Sequence, residues 1–112
     1  MNINKIRKLK GFMPDHEGDA LMKWSEKFSK LGPIMEIGTY CGKSTMYLAK
    51  GALINKQNIF TIDHHLGSEE HQLGEEYFDS DFYDSHLGRV NTVPLMQENL
   101  QQFDESKWVI PI

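Results

Sequence analysis

The chain has 112 residues, 39% of them hydrophobic and 25% charged, a composition typical of one globular domain. No apolar run approaches the roughly 18 residues that cross a bilayer, and the basic first residues lack the apolar segment of a signal peptide, so we expect a cytoplasmic protein without a membrane partner. The net charge of −4 disfavours nucleic acid as a partner, and the lone Cys41 excludes an internal disulfide.

The first predicted elements are a basic lead-in and a long helix. In residues 1–10 apolar side chains recur at helical intervals among basic ones, which is compatible with a helical turn or two that packs loosely on the body. Charge runs are most often solvated, so we favour a solvated basic lead-in over residues 1–13, followed by a domain over residues 14–112. Pro14 and the carboxylates after it predict a helix over residues 14–31. Its buried face is predicted from apolar residues at three- and four-residue steps, namely Leu21, Trp24, Phe28 and Leu31.

A strand, a glycine turn, a helix and a second strand follow within about thirty residues. The first strand covers residues 34–37, the helix runs from Lys43 to about Ile54, and the second strand covers residues 58–62 and ends on Asp63. This succession is a βαβ unit, which predicts two parallel strands joined by a right-handed crossover.

The last part of the chain predicts a polar loop, a helix and a third strand. Residues 64–89 contain too many Asp, Glu, Ser and Gly residues for a core element. A helix over residues 94–103, with Thr92 as its N-cap, and a strand over residues 108–112 complete the pattern. The predicted fold class is therefore α/β, with about three parallel strands and flanking helices.

The first strand and its turn, EIGTYCGKST over residues 36–45, carry the strongest chemical pattern. A phosphate-binding P-loop needs one more residue than the stretch between Gly38 and Gly42 provides. A dinucleotide fingerprint needs a second glycine where Tyr40 stands, and a tyrosine there would block the approach of a pyrophosphate.

A nucleoside ligand without a phosphate is compatible with the same residues. Gly38 would allow close backbone approach, and Gly42 would let the helix begin close to the strand. Asp63 would accept hydrogen bonds from both ribose hydroxyls. A plainer interpretation, in which the glycines only form a tight turn and Asp63 only caps a strand, stays open on spacing alone.

The run EIGTYCGKSTMYLA, followed by IFTIDHHLGSEEHQ and GRVNT, resembles class I S-adenosylmethionine-dependent methyltransferases. It is similar to a bacterial group with the first motif E-I-G-S-Y-C-G-K-S and the second motif V-D-H-H-x-G-S-E-E. The resemblance extends from about Gly11 to the C-terminus. It implies the cofactor-binding half of a Rossmann-like fold that uses S-adenosylmethionine to methylate a small-molecule acceptor.

The resemblance also assigns residues to the cofactor. In the family, the glycine turn carries the methionine part of the cofactor and the acidic residue after the second strand binds the ribose, which is Asp63 here. His64 would then lie near the adenine. The other residues implied to contact the cofactor are Glu36, Gly38, Tyr40, Gly42, Lys43 and Ser44.

The resemblance further implies that part of the family fold is absent after the third strand. In the full fold the first strand is central, whereas here it would be an edge. Ile34, Met35 and Ile37 would then leave apolar surface and unpaired backbone groups exposed. We therefore expect a truncated product or, if the chain is complete, a homo-oligomer that forms through the first strand.

The loop after Asp63 contains the candidates for catalysis and for metal binding. Suitable ligand atoms are present in His64, His65, His71, Glu69 and Glu70, which leaves a metal-dependent hydrolase open as a third alternative. Helical i, i+4 spacing of two histidines is absent, so we predict no metal and a solvated loop that closes over the ligand. His65 and His71 are weak candidates for a general base because histidine titrates near neutral pH, and the catalytic residues are otherwise unknown.

Two further expectations concern packing. Trp24, Phe28 and Tyr47 are predicted to lie in the core. Cys41 stands at a helix N-terminus, where a thiolate is favoured, but no His or Asp partner is fixed to it, so we assign it to packing of the turn.

Together with the resemblance, the sequence predicts the cofactor-binding half of a methyltransferase. The alternative from another class is a non-catalytic nucleoside-binding or assembly module with the same half-fold.

Overall fold

The computed structural model describes residues 2–112 and contains four α-helices and five short strands within that range. In chain order these are α1 (Ile3–Arg7), α2 (Asp15–Phe28), β1 (Ile34–Ile37), α3 (Lys43–Leu53), β2 (Ile59–Ile62), β3 (Tyr83–Asp84), β4 (Arg89–Val90), α4 (Val93–Gln101) and β5 (Val109–Pro111). Short 3-10 segments occupy Glu69–His71, Ser80–Phe82 and Asp104–Trp108.

The strands β1, β2 and β5 form one parallel sheet with β2 in the centre. Ile34 pairs with Ile59 across β1 and β2, and Ile59 pairs with Val109 across β2 and β5. The helix α3 connects β1 to β2 and packs against both. This arrangement confirms the predicted α/β class, the parallel βαβ unit and the position of the first strand at the edge of the sheet.

The apolar core lies between the sheet and α3. Seven of the eleven residues of α3 are buried, because α1 and α2 as well as the sheet pack around it. Met46 and Tyr47 are completely buried, as is Ile59 of β2. The prediction that Tyr47 belongs to the core is confirmed.

The N-terminal segment contributes to this core, so the prediction of a solvated and loosely packed lead-in was wrong. Ile6 is completely buried and Leu9 is 7% exposed. The basic side chains stay near the surface, where Arg7 donates to both carboxylate oxygens of Asp19 at 3.0 Å. The alternation of apolar and basic residues therefore marks an amphipathic helical turn rather than a solvated charge run. The domain boundary after residue 13 stays a prediction.

The helix α2 exposes the side chains that were predicted to be buried. Trp24, Phe28 and Leu31 are 55%, 45% and 86% exposed, and the rings of Trp24 and Phe28 stack on each other at 5.5 Å. Of the predicted face, only Leu21 packs against the core. The helix is also shorter than predicted, because Pro14 is its N-cap and regular structure ends at Phe28.

Small residues explain why α2 packs through its other face. Gly18 and Ser25 are the buried residues of α2, and the Ser25 hydroxyl donates to the backbone carbonyl of Leu48 at 2.6 Å. A Cβ on Gly51 of α3 would lie 2.2 Å from the backbone oxygen of Met22. The backbones of α2 and α3 are therefore so close that large side chains have no room between them.

One face of the sheet is exposed. Because side chains alternate along a strand, Met35 and Ile37 point away from the face on which α3 packs. They are 65% and 82% exposed, which confirms the predicted exposure of apolar surface on β1. Ile34 differs from that prediction, since it lies on the covered face and packs against the core.

Residues 64–89 contain more structure than the predicted irregular loop. The two-residue strands β3 and β4 form a small antiparallel hairpin, in which Tyr83 pairs with Val90. Phe82 and Val90 are almost fully buried and form a second apolar cluster with Cys41. The expectation that this stretch supplies nothing to a core was therefore wrong.

None of the described helices combines the length and apolarity that a membrane span needs.

Candidate functional site

A cleft of about 410 Å³ opens beyond the carboxyl ends of β1 and β2. Ligands of open parallel α/β sheets bind outside these strand ends, and the volume is within the range of small-molecule sites. Its walls come from an N-terminal strap (residues 11–13), from the turn between β1 and α3, and from the loop after β2, with Thr92 completing the lining. The cleft thus combines the predicted glycine turn with a segment from the start of the chain.

The turn between β1 and α3 depends on two glycines for different reasons. Gly38 has a φ of 98°, and no atom lies within 4 Å of the position that a Cβ would occupy, so its backbone borders open space in the cleft. Gly42 has a φ of 87° and is the N-cap of α3. A Cβ there would point to Leu100 at 3.5 Å, away from the cleft. Gly38 is therefore placed to approach a ligand, and Gly42 shapes the start of the helix.

Glu36 joins three elements instead of lining the cleft. Its carboxylate accepts hydrogen bonds from the hydroxyls of Ser44 at 2.6 Å, Thr45 at 2.5 Å and Thr61 at 2.8 Å. The Thr61 hydroxyl also lies 2.5 Å from that of Thr39. Hydrogen bonds to a charged acceptor are strong, so this network fixes β1, β2 and the first turn of α3 to one another.

Asp63 lines the cleft directly after β2. One carboxylate oxygen accepts the backbone N–H of Tyr40 and the other accepts that of His65, both at 2.8 Å. Partial burial opposes ionisation of Asp63, but these two backbone donors outweigh it and lower the pKa of Asp63 below its ordinary value. Asp63 is therefore an anion at neutral pH, and each oxygen keeps acceptor capacity for a ligand.

The remaining polar residues of the turn are partly engaged within the protein. Ser44 lines the cleft while its hydroxyl donates to Glu36. Lys43 also lines the cleft, and its ammonium donates to the backbone carbonyl of Arg7 at 2.9 Å. Tyr40 lines the cleft. Burial raises the pKa of its hydroxyl to about 12, so the hydroxyl stays protonated.

Two of the loop histidines have their protons fixed by backbone donors. In His64, Nδ1 accepts the N–H of Leu66 at 3.0 Å, and in His71, Nδ1 accepts the N–H of Ser68 at 3.1 Å. The neutral form of each ring therefore carries its proton on Nε2. Both rings line the cleft as hydrogen-bond donors, so the proposed role of His71 as a general base is not supported by its tautomer.

His65 does not line the cleft. It is 7% exposed, and its Nδ1 lies 2.7 Å from the hydroxyl of Thr92. Thr92 is the N-cap of α4, as predicted, but its side chain makes this contact instead of capping the helix. The ring is buried and does not line the cleft, so the weak candidate role of His65 as a general base is not supported by its position.

Cys41 and the histidine loop show no sign of nucleophilic or metal chemistry. Cys41 is 1% exposed, and burial raises the pKa of its thiol to about 12, so it is a packed thiol and not a thiolate. Among the described residues, no group of three or more His, Cys, Asp or Glu side chains could hold a metal ion. The hydrolase alternative is therefore not favoured.

Ion pairs and aromatic contacts hold the strap against the loop. The ammonium of Lys10 lies 2.6 Å from carboxylate oxygens of both Asp79 and Asp81. The ring of Phe12 stacks on that of Tyr40 at 5.5 Å and meets the ring of Tyr77 edge-on at 5.8 Å. The ion pairs join residues near the chain start to residues about seventy positions later. The wall that the strap adds to the cleft therefore depends on tertiary contacts.

The structure brings most of the predicted site residues to one cleft. The predicted residues that line it are Gly38, Tyr40, Lys43, Ser44, Asp63, His64 and His71. Glu36 and Gly42 lie behind it, and the strap with Phe12 was missed. The available signal for the strap was an apolar residue flanked by glycine and methionine between two helical segments, which is too weak to assign a ligand wall.

The family comparison agrees with this geometry. A family model described as a methyltransferase domain matches residues 35–108, well over half of the chain. The matched segment contains the glycine turn, Asp63, the histidine loop and α4. The chain therefore belongs to a family of methyltransferase domains.

Proposed function

We propose that this chain binds S-adenosylmethionine in the cleft and serves as the cofactor-binding part of a methyltransferase that acts on a small molecule. One observation supports this most. The open backbone at Gly38 and the ionised Asp63 end two adjacent parallel strands and line the same cleft. A nucleoside with an amino-acid tail and no phosphate needs both features, a close backbone approach and an acceptor for two hydroxyls.

The proposed roles follow from where each group lies. Asp63 accepts from the ribose hydroxyls, and His64 donates from Nε2 beside the base. Gly38, Tyr40, Lys43 and Ser44 extend along the methionine part of the cofactor. We assign Glu36 and Gly42 to positioning, because they hold the turn and do not line the cleft.

The histidines of the cleft supply orientation rather than a proton acceptor. When bound, S-adenosylmethionine supplies a methyl group on a positively charged sulfur. His64 and His71 carry protons on the nitrogens that are free to meet a ligand, and His65 is buried. The chain therefore contributes alignment of the two reactants, which is worth a large part of a bimolecular barrier.

The direct test is a calorimetric titration with S-adenosylhomocysteine, the product form of the cofactor. We expect saturable binding by the unmodified chain. Asp63→Asn removes a charged acceptor and should weaken binding about ten- to a hundredfold, the range for hydrogen bonds to charged groups. Glu26→Gln, which changes an exposed carboxylate on α2, should bind as the unmodified chain does.

A pair of glycine variants distinguishes the effect of a side chain inside the cleft from the effect of backbone strain at a positive φ. Gly38 and Gly88 both have positive φ, and neither has an atom within 4 Å of its missing Cβ, but only Gly38 lines the cleft. Alanine at either position should lower stability slightly, and only Gly38→Ala should abolish binding. Equal affinities in both variants, or no binding by the folded unmodified chain, would contradict the proposed function.

We also propose that a second copy of the chain covers the β1 edge. Met35 and Ile37 form an exposed apolar surface beside the unpaired edge of β1. Such an edge is a template for strand addition, and charged side chains block it. Sedimentation at tens of micromolar should show self-association that Ile37→Lys abolishes. A single species with the mass of a monomer, in both the unmodified chain and Ile37→Lys, would overturn this proposal.

A further inference from the structure

Two strained backbone positions contact the carboxylate of Asp63. Among the described residues, three residues other than glycine have a positive φ, namely Tyr40 at 50°, Lys56 at 52° and His65 at 62°. This left-handed conformation is costly for a residue with a Cβ, and it persists where the surrounding structure enforces it. The backbone N–H groups of Tyr40 and His65 both donate to Asp63, each at 2.8 Å. Two of the three strained positions therefore serve the same carboxylate.

The third strained position has a different explanation. Lys56 is exposed and lies just beyond the end of α3, where its backbone N–H donates to the carbonyl of Leu53 at 3.0 Å. A left-handed residue is common where a helix ends. Tyr40 and His65 instead follow β1 and β2, where no helix end requires this conformation. Its cause at these two positions must therefore lie in their contacts.

The two N–H groups hold the carboxylate from opposite sides. Tyr40, in the turn after β1, donates to one oxygen of Asp63, and His65, in the loop after β2, donates to the other. A carboxylate oxygen can accept two hydrogen bonds, so each oxygen keeps one acceptor site. Because hydrogen bonds to a charged acceptor are strong, the carboxylate is oriented before a ligand arrives.

The side chains of the two donors keep their backbones in place. The ring of Tyr40 stacks on Phe12 at 5.5 Å and meets Phe82 edge-on at 5.3 Å. The ring of His65 is buried with Nδ1 2.7 Å from the hydroxyl of Thr92, and the carbonyl of His65 accepts the N–H of Thr92 at 2.9 Å. A glycine would adopt either conformation without strain but would lack these side-chain contacts.

We infer that Tyr40 and His65 are positioning residues, whose left-handed backbones aim two N–H groups at Asp63 and leave one acceptor site on each oxygen for the ribose hydroxyls. This inference rests on the proposed function, because it concerns how the ribose acceptor is held. It gives His65 a role although its ring does not line the cleft. A group that is already oriented loses less freedom when a ligand binds, which favours affinity.

The first test follows two backbone amide protons of the unmodified chain by nuclear magnetic resonance. An amide proton that donates to a carboxylate changes its chemical shift when that carboxylate is protonated. Between pH 5 and pH 2.5, the amide protons of Tyr40 and His65 should titrate with one common midpoint below the ordinary aspartate pKa of about 3.9. Asp63→Asn should abolish this titration in both. Different midpoints, or no titration, would overturn the inference.

A pair of variants then separates the backbone of His65 from its ring. His65→Asn and His65→Val both lose the imidazole, but asparagine adopts the left-handed conformation far more readily than the β-branched valine. The N–H should therefore turn away from Asp63 only in His65→Val. In that variant the pKa of Asp63 should be higher than in His65→Asn, and calorimetry should show about three- to tenfold weaker binding of S-adenosylhomocysteine.

The matched control makes the same two changes at Lys56, which is strained to a similar degree but does not line the cleft. Lys56→Val should melt roughly 4 °C below Lys56→Asn, because valine is strained there as well. The two Lys56 variants should nevertheless bind S-adenosylhomocysteine equally and leave the titration of Asp63 unchanged. A loss of affinity in Lys56→Val as large as in His65→Val would assign the effect to general instability and overturn the inference.

The outcomes distinguish this inference from the proposed function. If S-adenosylhomocysteine binds and the two His65 variants have equal affinities, the positioning role is overturned while the cofactor site stands. If S-adenosylhomocysteine does not bind to the folded unmodified chain, both are overturned. If His65→Val does not fold, the amide titration of the unmodified chain decides. A common midpoint for the two amides, with weaker binding only in His65→Val, supports the positioning role.

Discussion

The two sides of the cleft are held together by different kinds of contact. The βαβ wall, residues 34–63, is fixed by buried packing around Tyr47 and by the carboxylate of Glu36. The cover, residues 8–13 and 64–84, is held by Lys10, by partly exposed rings and by the small buried cluster of Phe82, Val90 and Cys41. Buried networks resist opening, whereas exposed ion pairs contribute little to stability.

This difference assigns separate tasks to the two sides. The βαβ wall carries Gly38 and Asp63, whose positions must be precise if the cofactor binds as we propose. The cover carries Phe12 and Tyr77, whose rings meet edge-on at 5.8 Å. Regions that open at low free energy are those with few buried contacts. The cover has a smaller buried cluster than the βαβ wall, so exchange of ligands is expected there.

The largest effect should come from closing the space between α2 and α3. A Cβ on Gly51 would lie 2.2 Å from the carbonyl oxygen of Met22, which is backbone and cannot move aside. Gly51→Ala should therefore lower the free energy of unfolding by about 3 kcal/mol, as overpacked cores do. Helix propensity alone predicts a gain of about 1 kcal/mol. The sign of the change in urea unfolding therefore decides between the two effects.

The next effect concerns the carboxylate that joins the strands of the βαβ wall. Glu36→Gln replaces an acceptor of three hydroxyl hydrogen bonds by an amide, and we expect a loss of about 2 kcal/mol in unfolding free energy. Glu26→Gln, at an exposed position of α2, should change stability by less than about 0.5 kcal/mol. Equal changes in the two variants would contradict the network's role.

The third prediction concerns acid sensitivity. Because the folded-state pKa of Asp63 is lowered, its ionisation stabilises the fold above the ordinary aspartate pKa of about 3.9, and this contribution is lost as the pH falls through the lower value. Stability should therefore fall more steeply below about pH 4 in the unmodified chain than in Asp63→Asn. Urea midpoints between pH 5 and pH 2.5 would measure the two slopes, and parallel curves would contradict the prediction.

The smallest effect on stability should come from the cover. Lys10→Met removes both ion pairs and should cost less than about 1 kcal/mol, because the groups are partly exposed. Hydrogen exchange of residues 11–13 should nevertheless become faster, since the ion pairs beside the strap are lost and only the ring contacts of Phe12 still join it to the loop. Lys8→Met, at an exposed neighbouring position, should change neither quantity.

The sequence predicted the βαβ wall well because its signals are local. Alternation of short apolar runs with a glycine turn is sufficient to place β1, α3 and β2 within one or two residues. The carboxylate after β2 and the glycine after β1 then meet by topology, which is why Gly38 and Asp63 could be paired in advance.

The rest depended on contacts that no local pattern contains. The burial of α2 was mispredicted because Gly18 and Ser25 allow closer helix packing than Trp24 and Phe28 do. Phe12 contacts Tyr77 across sixty-five positions, so no spacing rule could assign the strap to the cleft. The histidine tautomers likewise depend on single backbone donors that only the folded loop provides.

The position of the strap also links the cleft to proteolytic sensitivity near the start of the chain. Lys10 directly precedes Gly11 and Phe12, so a trypsin-sensitive bond adjoins a wall of the proposed ligand site. A protease needs several residues in extended form, which the strap can adopt only after Phe12 has left Tyr40 and Tyr77. A molecule that bridges these rings would therefore slow cleavage near the start of the chain. The rate of tryptic digestion would then report whether the cleft is occupied.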